Sequence, residues 1–460
     1  MTSVDELSAG GRRAVAKMRA AGVTPTAIEV FADYYRQLAA GATGMIPEDT
    51  VTPLTDVPRA DDLGGHPGDI EALAVTALIR LNGGLGTSMG LARAKSLLVA
   101  RDGATFLDLI VRQVLWARIR YGVRLPLLFL HSFSTRDDCL AALAAYPGLP
   151  VAGLPLDMLQ SQEPKLRQDD LEPVAWPADP RLEWCPPGHG DLYPTLLDSG
   201  VLDALLGAGF RYACVSNSDN LGADPSPALA GWFARSGAPF ASEITARTPM
   251  DHKGGQLVRR RADACLVLRE TAQTLPDDLA AASDAARHPF VTTNNLWFDL
   301  GALREMLART RGVLGLPLIR NGKTVDPLDA SSPAVWQLES AMGAAVGVFD
   351  GAAAIEVPRS RFAPVKTTNE LALLRSDAYA LGQDGVPRAV ATPLPVVSLS
   401  ADYRLIDGFE TLMPHPLGLR QARSLTVQGP WRFGAGVTVR GDVVLGPDGG
   451  CVPDGAVLDG

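Results

Sequence analysis

Residues 81–90 read LNGGLGTSMG, four glycines in ten positions directly after the apolar run Val75 to Leu81, VTALIRL. The run predicts a buried strand. The glycines predict a turn whose backbone N–H groups stay open to an anion, with no Cβ in the way of a flat base or a triphosphate. Two familiar glycine loops do not fit. A P-loop closes with GK[ST], where this chain has Met89-Gly90-Leu91, and the dinucleotide fingerprint needs a glycine at the position of Met89. Lys95, in RAKS (93–96), stands at the far end of the loop, in a position to close over a phosphate.

Outward from this loop, short apolar runs alternate with helical stretches between residue 75 and about residue 300. TALIRLN precedes a helix expected over Phe106 to Arg120, PLLFLHS one over Asp137 to Ala145, and RYACVSN one over Pro227 to Arg235. PFASEITAR, ACLVLRE and FVTTNNLWF follow as further strands. Such alternation predicts an α/β fold with a mixed, mainly parallel sheet covered by helices, and ligands beyond the carboxyl ends of the strands. Before it, apolar positions at helical spacing (Val15, Met18, Ala21; Ile28, Phe31, Tyr34, Tyr35, Leu38) predict two amphipathic helices, and the Pro-, Asp- and Gly-rich segment 44–68 reads as a connection. After Tyr379, GQDGVPRAVATPLP reads as a linker. The tail LTVQGPWRFGAGVTVRGDVVLGPDGG repeats Val-x-Val and Gly at short intervals, as turns of a parallel β-helix do. The expected division is 1–74 (helical segment and connection), 75–380 (catalytic domain) and 381–460 (linker and short β-helix).

Composition narrows the partners. The 460 residues are 47% hydrophobic, enough for a large core, and no apolar stretch reaches the roughly 18–20 residues of a membrane helix. The start, MTSVDELSAGGRRAV, lacks a signal pattern, which points to a cytoplasmic protein without a membrane partner. Five scattered cysteines without a CxxC pair suggest neither a disulfide framework nor a zinc site. A formal charge of −9 argues against nucleic acid, so the cations that meet a phosphate must be local. Of 42 Lys and Arg only six are Lys: Lys17, Lys95, Lys165, Lys253, Lys323 and Lys366. In an Arg-rich chain each lysine is worth inspecting, because a compact point charge and a planar fork are not interchangeable against a phosphate oxygen; mutational bias with random survivors is the alternative reading.

LNGGLGTSMG followed by AKS and TFLDLIVRQ resembles the signature of the eukaryotic-type UDP-glucose pyrophosphorylases, or UTP:glucose-1-phosphate uridylyltransferases. GMIPEDTVTPL, LQSQEPKL, WCPPGHGDLYPTL, VSNSDNLGA, ASEITARTPMDHKGG, TTNNLWFDL, LESAMGAAVGVF and VPRSRFAPVKTTNELALL continue in family order, from about residue 44 to 380. The resemblance implies a Rossmann-like nucleotidyltransferase domain followed by a small left-handed parallel β-helix. It implies transfer of a uridylyl group from UTP to glucose 1-phosphate with magnesium, by a monomer or by a homo-oligomer built through the C-terminal domain.

It also implies roles. Lys95 and Lys366 would meet the phosphates from opposite sides, and Asp219 would hold magnesium beside the nucleotide. Leu81, Asn82, Gly83, Gly84, Gln160, Pro187 and Gly188 would surround the nucleotide, and His189 would lie near the phosphate. Asn217, Gly255, Glu270, Thr292 and Asn294 would face the sugar. Lys17, outside every motif, is the internal control, and its Arg variant is expected to behave as the parent does.

Two departures bear on the substrate. Ser161-Gln162 stands where the family usually carries an Asn-Lys or similar pair, and Thr292 where it has a sugar-facing asparagine. A site built around one hydroxyl can reject an analogue lacking it by roughly 10⁴-fold, so such a change can redirect the acceptor. A nucleotidyltransferase for another hexose or cyclitol 1-phosphate, or with another nucleoside triphosphate, is the second reading. A non-catalytic nucleotide-sugar sensor is the third, and the presence of Lys95, Asp219 and Lys366 speaks against it.

Overall fold

The computed structural model describes residues 6–86, 89–248, 251 and 254–460. Thr87 and Ser88 of the glycine loop, and Lys253, lie outside the described residues.

Seven strands form the central sheet: β1 (Thr76–Asn82), β2 (Leu127–His131), β3 (Asp157–Leu159), β4 (Tyr212–Asn217), β5 (Phe240–Ala246), β6 (Phe290–Asp299) and β7 (Ala353–Glu356). Their order is β7-β5-β6-β4-β1-β2-β3, and only β6 runs antiparallel to its neighbours. The mixed, mainly parallel sheet expected from the alternation is therefore present. Alternate residues of a strand face opposite sides, and the cores divide accordingly. Leu78, Phe129 and Cys214 enter one hydrophobic cluster, while Ala77, Ile79, Leu128, Leu130, Ala213 and Val215 enter the other. Burial on both faces explains why these strands read as unbroken apolar runs.

The helix Phe106–Tyr121 covers the first face with Leu107, Ile110, Val111 and Val114. A capping box of Thr105 and Asp108 starts it, and Gly122 ends it at φ +67, a conformation that costs glycine little. The helix Leu192–Asp198 covers the second face with Leu192, Tyr193 and Leu196.

Three expectations need correction. ACLVLRE does form a strand, Leu266–Arg269, but it lies in a separate three-stranded sheet with Val51–Pro53 and Gln256–Arg260. Strand composition carries no information about partners, so its sheet was not readable. The segment taken as a linker contains Pro387–Ala389, which pairs antiparallel with Tyr379–Leu381, and one apolar cluster runs from Leu78 through Leu371 and Ala391 to Val439. The C-terminal strands thus share a core with the helices of the main sheet. The two N-terminal helices are Ala9–Ala20 and Pro25–Ala39, capped by Ser8 and Thr24; they bury the expected residues except Ala21, an exposed C-cap. Lys17 on the first of them pairs with Glu183, donates to the Val174 carbonyl at 3.0 Å and lies 5.3 Å from the Trp184 ring centre.

The C-terminal part contains a four-stranded parallel sheet (Val396–Leu399, Gly418–Val427, Thr438–Leu445, Val457–Asp459) and a parallel pair, Trp431–Phe433 with Gly450–Val452. Among the described residues no helix is long and apolar enough to cross a membrane.

Midway along β5, where Glu243 faces Asn295 of the antiparallel β6, lies a buried ion pair. Glu243 of β5, with no exposed surface, accepts from Arg361 at 2.9 and 3.1 Å, from Trp297 Nε1 at 2.9 Å and from Asn295 Nδ2 at 2.9 Å. Burial alone would raise its pKa; the Arg361 charge and these donors outweigh burial and hold it below the ordinary range. Removing one partner of such a pair strands the other charge. Glu243→Leu is expected to cost about 3–5 kcal/mol in urea unfolding. Leu328→Ser, at an exposed site, should stay within about 0.5 kcal/mol of the parent.

Candidate active site

The glycine loop leaves β1 under tight control. Thr135 Oγ1 donates to the Asn82 carbonyl and Ser132 Oγ to the Gly83 carbonyl, each at 2.8 Å. Leu81 accepts the Ser218 N–H at 3.1 Å. The Asn82 side chain faces inward: its oxygen accepts from Ser218 Oγ at 3.0 Å, and its nitrogen lies 3.3 Å from His131 Nδ1 and 3.2 Å from Cys139 Sγ. Any contact of Asn82 with a nucleotide is thus left to its backbone. Gln160 hangs from β2 through its N–H on the His131 carbonyl, and a Cβ on Gly83 would come 2.9 Å from Gln160 Oε1. The glycine is there because the amide lies against it. A Cβ on Gly84 would meet nothing within 4 Å, so that backbone is open.

Opposite stands the Pro187–Gly188–His189 turn. Ser340 donates its N–H to the Pro187 carbonyl at 3.1 Å and accepts the Gly190 N–H at 2.8 Å. Gly188 has φ +78, and a Cβ on it would approach the Ser340 carbonyl oxygen to 2.6 Å, so only glycine fits. His189 Nδ1 accepts the Met342 N–H at 2.9 Å, which places the proton of the neutral ring on Nε2. Loss of solvent and, secondarily, the Lys366 charge lower its pKa to about 4, so near pH 7 it is a neutral donor.

Between these loops lies Asp219, in the turn after β4. Its Oδ2 accepts from Lys95 Nζ at 2.8 Å and Lys366 Nζ at 2.9 Å. Its Oδ1 is buried and has no partner among the described residues. Burial pushes the carboxyl up, but the Lys366 and Lys95 charges outweigh this and hold it below the usual range. Two ammonium groups on one carboxylate leave an excess positive charge, the electrostatics of an anion receptor.

The five expected sugar-facing residues are in mutual contact. Asn294 Nδ2 donates to Asn217 Oδ1 at 3.0 Å, Thr292 Oγ1 accepts the Asn294 N–H at 3.2 Å, and Gly255 accepts the Thr292 N–H at 2.9 Å. A Cβ on Gly255 would stand 2.8 Å from Glu270 Oε2. Asn294 sits at φ +59, where the β5–β6 register shifts, a left-handed position that asparagine tolerates. Burial raises the Glu270 pKa.

The site so assembled has known counterparts. The family model for UTP--glucose-1-phosphate uridylyltransferase matches residues 28–440. The enzyme of that name from Saccharomyces cerevisiae is 35% identical over 410 residues, covering 88% of this chain and 81% of the relative; that from Solanum tuberosum is 34% identical over 422 residues, covering 90% and 84%.

The chain belongs to the UTP--glucose-1-phosphate uridylyltransferase family.

Solved structures agree. A Trypanosoma brucei UDP-glucose phosphorylase superposes with a TM-score of 0.92 at 40% identity over 98% of both chains. A point mutant of the Leishmania major UDP-glucose pyrophosphorylase, solved in complex with UDP-glucose, gives 0.93 at 40% over 99% of both.

Within this uridylyltransferase fold, several residues that hold the site together carried no role in the sequence reading. Asn220 Nδ2 donates to the Arg361 carbonyl at 3.0 Å and to Asn295 Oδ1 at 3.3 Å, while Asn220 Oδ1 accepts the Ala363 N–H at 3.0 Å. Asp219's own carbonyl accepts the Val365 N–H at 3.2 Å. The Asp219 turn, the Asn294 bulge and the Lys366 segment are thereby bolted to the Glu243–Arg361 pair. The readable signal was a charge inside an apolar strand run, Glu243 in FASEITA.

A point charge on a flexible stem differs from a planar fork. Lys95→Arg is expected to lower kcat about 10²-fold, as when one transition-state donor is lost, with a smaller rise in KM for nucleotide. Lys323→Arg, at an exposed position, serves as the control and should match the parent in steady-state kinetics.

Proposed function

We propose that the chain transfers a uridylyl group from UTP to glucose 1-phosphate, giving UDP-glucose and pyrophosphate. A phosphate oxygen of the sugar phosphate attacks the α-phosphorus of UTP in line, a new P–O bond forms, and the bond to the β-phosphate oxygen breaks as pyrophosphate leaves. Both reactants are anions, so the barrier is chiefly repulsion and positioning. The observation that carries the reading is that Lys95 of the glycine loop and Lys366 both hold Asp219, which lies two residues after Asn217, whose side chain pairs with Asn294. Once the nucleotide arrives, each lysine can exchange the Asp219 carboxylate for phosphate oxygens. Gln160 and the open backbone at Gly84 offer donors and acceptors for a uracil edge, and His189 offers its Nε2–H to a phosphate oxygen.

Magnesium fits this site through Asp219. Oδ1 is a buried acceptor without a partner, and hard oxygen ligands suit this ion. No group of three His, Cys, Asp or Glu suited to a metal occurs among the described residues, so phosphate oxygens and water would complete its shell. When bound, the ion supplies neutralisation of phosphate charge.

The C-terminal strands support a short left-handed parallel β-helix. Paired residues from Gly418 onward are separated by 18 (Leu425↔Val443), 19 (Thr438↔Val457, Trp431↔Gly450) or 20 (Gly418↔Thr438) positions, as successive coils of three short sides would be.

The test is a panel of nucleoside triphosphates against sugar 1-phosphates with magnesium, read by pyrophosphate release. UTP with glucose 1-phosphate should give the highest kcat/KM; a clear preference for another triphosphate or acceptor would overturn the assignment. Asp219→Ala should abolish magnesium-dependent turnover while circular dichroism stays unchanged, and activity persisting at limiting magnesium would remove Asp219 from the metal site.

A further inference from the structure

Asp191 is the point where the two loops of the nucleotide site meet. It closes the turn His189–Asp191 and so shares a short backbone unit with Gly188 and His189. Its Oδ2 accepts the Ser161 N–H at 2.6 Å and the Thr195 hydroxyl at 3.0 Å, and the residue is 4% exposed. Ser161 directly follows Gln160. One carboxylate therefore spans from the Gly188 side to the Gln160 side. The titratable groups that bear on it are Asp198 at the end of its own helix, Glu163 of the base loop and Tyr34 of the helix Pro25–Ala39, with Glu339 beyond Glu163. None of these is a cation. Glu163 is itself buried, its Oε1 has no partner among the described residues, and burial first, then Glu339 and Asp191, push its pKa well above the usual carboxylate range.

We infer that Asp191 is a positioning residue for uridine recognition, its charged carboxylate clamping the Ser161 amide so that Gln160 stays seated against Gly83 and in register with Gly188. The inference rests on the uridylyltransferase reading above. Burial, opposed by the Ser161 and Thr195 hydrogen bonds, raises the Asp191 pKa to about 7. Above that pH the carboxylate is charged and accepts both donors. Below it one oxygen carries a proton, the acceptor strength falls, and the Ser161 loop is released. His189, with its pKa near 4, stays neutral throughout and adds no transition.

The experiment measures UDP-glucose binding by calorimetry between pH 6 and 8. UDP-glucose is the probe because it has no terminal phosphate, whereas that of UTP titrates near pH 6. With a group titrating near 7, only about one tenth of the protein is binding-competent at pH 6, so Kd should rise about tenfold from pH 8 to pH 6. Asp191→Asn should bind at all pH values about as weakly as the parent does at pH 6, with no pH dependence. Its kcat at saturating UDP-glucose and pyrophosphate should change little, because a lost ground-state clamp appears in KM. Thr195→Val removes a donor that opposes the shift, so its transition should move to higher pH; Glu163→Gln should keep the parent's slope. A flat profile in the parent, or an unchanged slope in Asp191→Asn, overturns the inference. If Asp191→Asn does not fold, an unmoved midpoint in Thr195→Val overturns it instead. Failure of the parent to bind UDP-glucose at any pH would strike the functional reading and not the clamp.

Discussion

The Glu243–Arg361 pair is the constraint on which the site depends. Two charges removed from water are tolerated only when their remaining hydrogen-bonding capacity is used, and Glu243 uses it on two other segments: Arg361, and Asn295 with Trp297 of β6. Arg361 extends the same network to the Asp224 side chain and carbonyl at 3.2 and 3.1 Å. Because every donor and acceptor has one good partner, the segments cannot slide without exposing a buried charge. Positioning follows from solvation. The Asp219 turn, the bulge at Asn294 and the stretch leading to Lys366 inherit their spacing from a pair that touches no substrate in the proposed reaction.

That rigidity lets the surface of the site stay electrostatically unbalanced. Lys95 and Lys366 both lean on one oxygen of Asp219, and the lysine side chains are 15% and 56% exposed. Lys95 is therefore confined to the loop that closes back on Gly84, whose carbonyl accepts the Lys95 N–H at 3.2 Å, whereas Lys366 retains freedom to follow a moving phosphate. The use of lysine in a chain that otherwise prefers arginine fits this arrangement, since an ammonium can exchange one oxygen for another without reorienting a plane.

Much of this was legible in the sequence, and the exceptions have a common cause. Apolar runs with β-branched and aromatic residues located β1, β2, β4, β5 and β6 because these strands are buried on both faces. The two glycine turns were legible because Gly83 packs against the Gln160 amide and Gly188, at φ +78, against the Ser340 backbone. The partner of ACLVLRE was not, since period and composition do not say which sheet a strand joins. Asp191 and Arg361 were passed over because single charged residues in loops are usually solvated, and only the fold shows them enclosed. The contacts of Lys17 were not legible for the related reason that its partners, Glu183 and Trp184, lie more than 160 positions away.

The departure at Thr292 can now be weighed physically. Its hydroxyl accepts the Asn294 N–H and its own N–H goes to Gly255, so threonine here supports the left-handed bulge that presents Asn294. Its polar groups are engaged in holding the wall together, which leaves Asn217, Asn294 and Glu270 as the side chains free to distinguish one hydroxyl pattern from another. Burial raises the Glu270 pKa, so a sugar hydroxyl placed to donate to that carboxyl would count for more there than at a solvated group. In the proposed reaction an acceptor lacking a hydroxyl at that point would lose this contact, whereas the polar groups of Thr292 are already engaged within the wall.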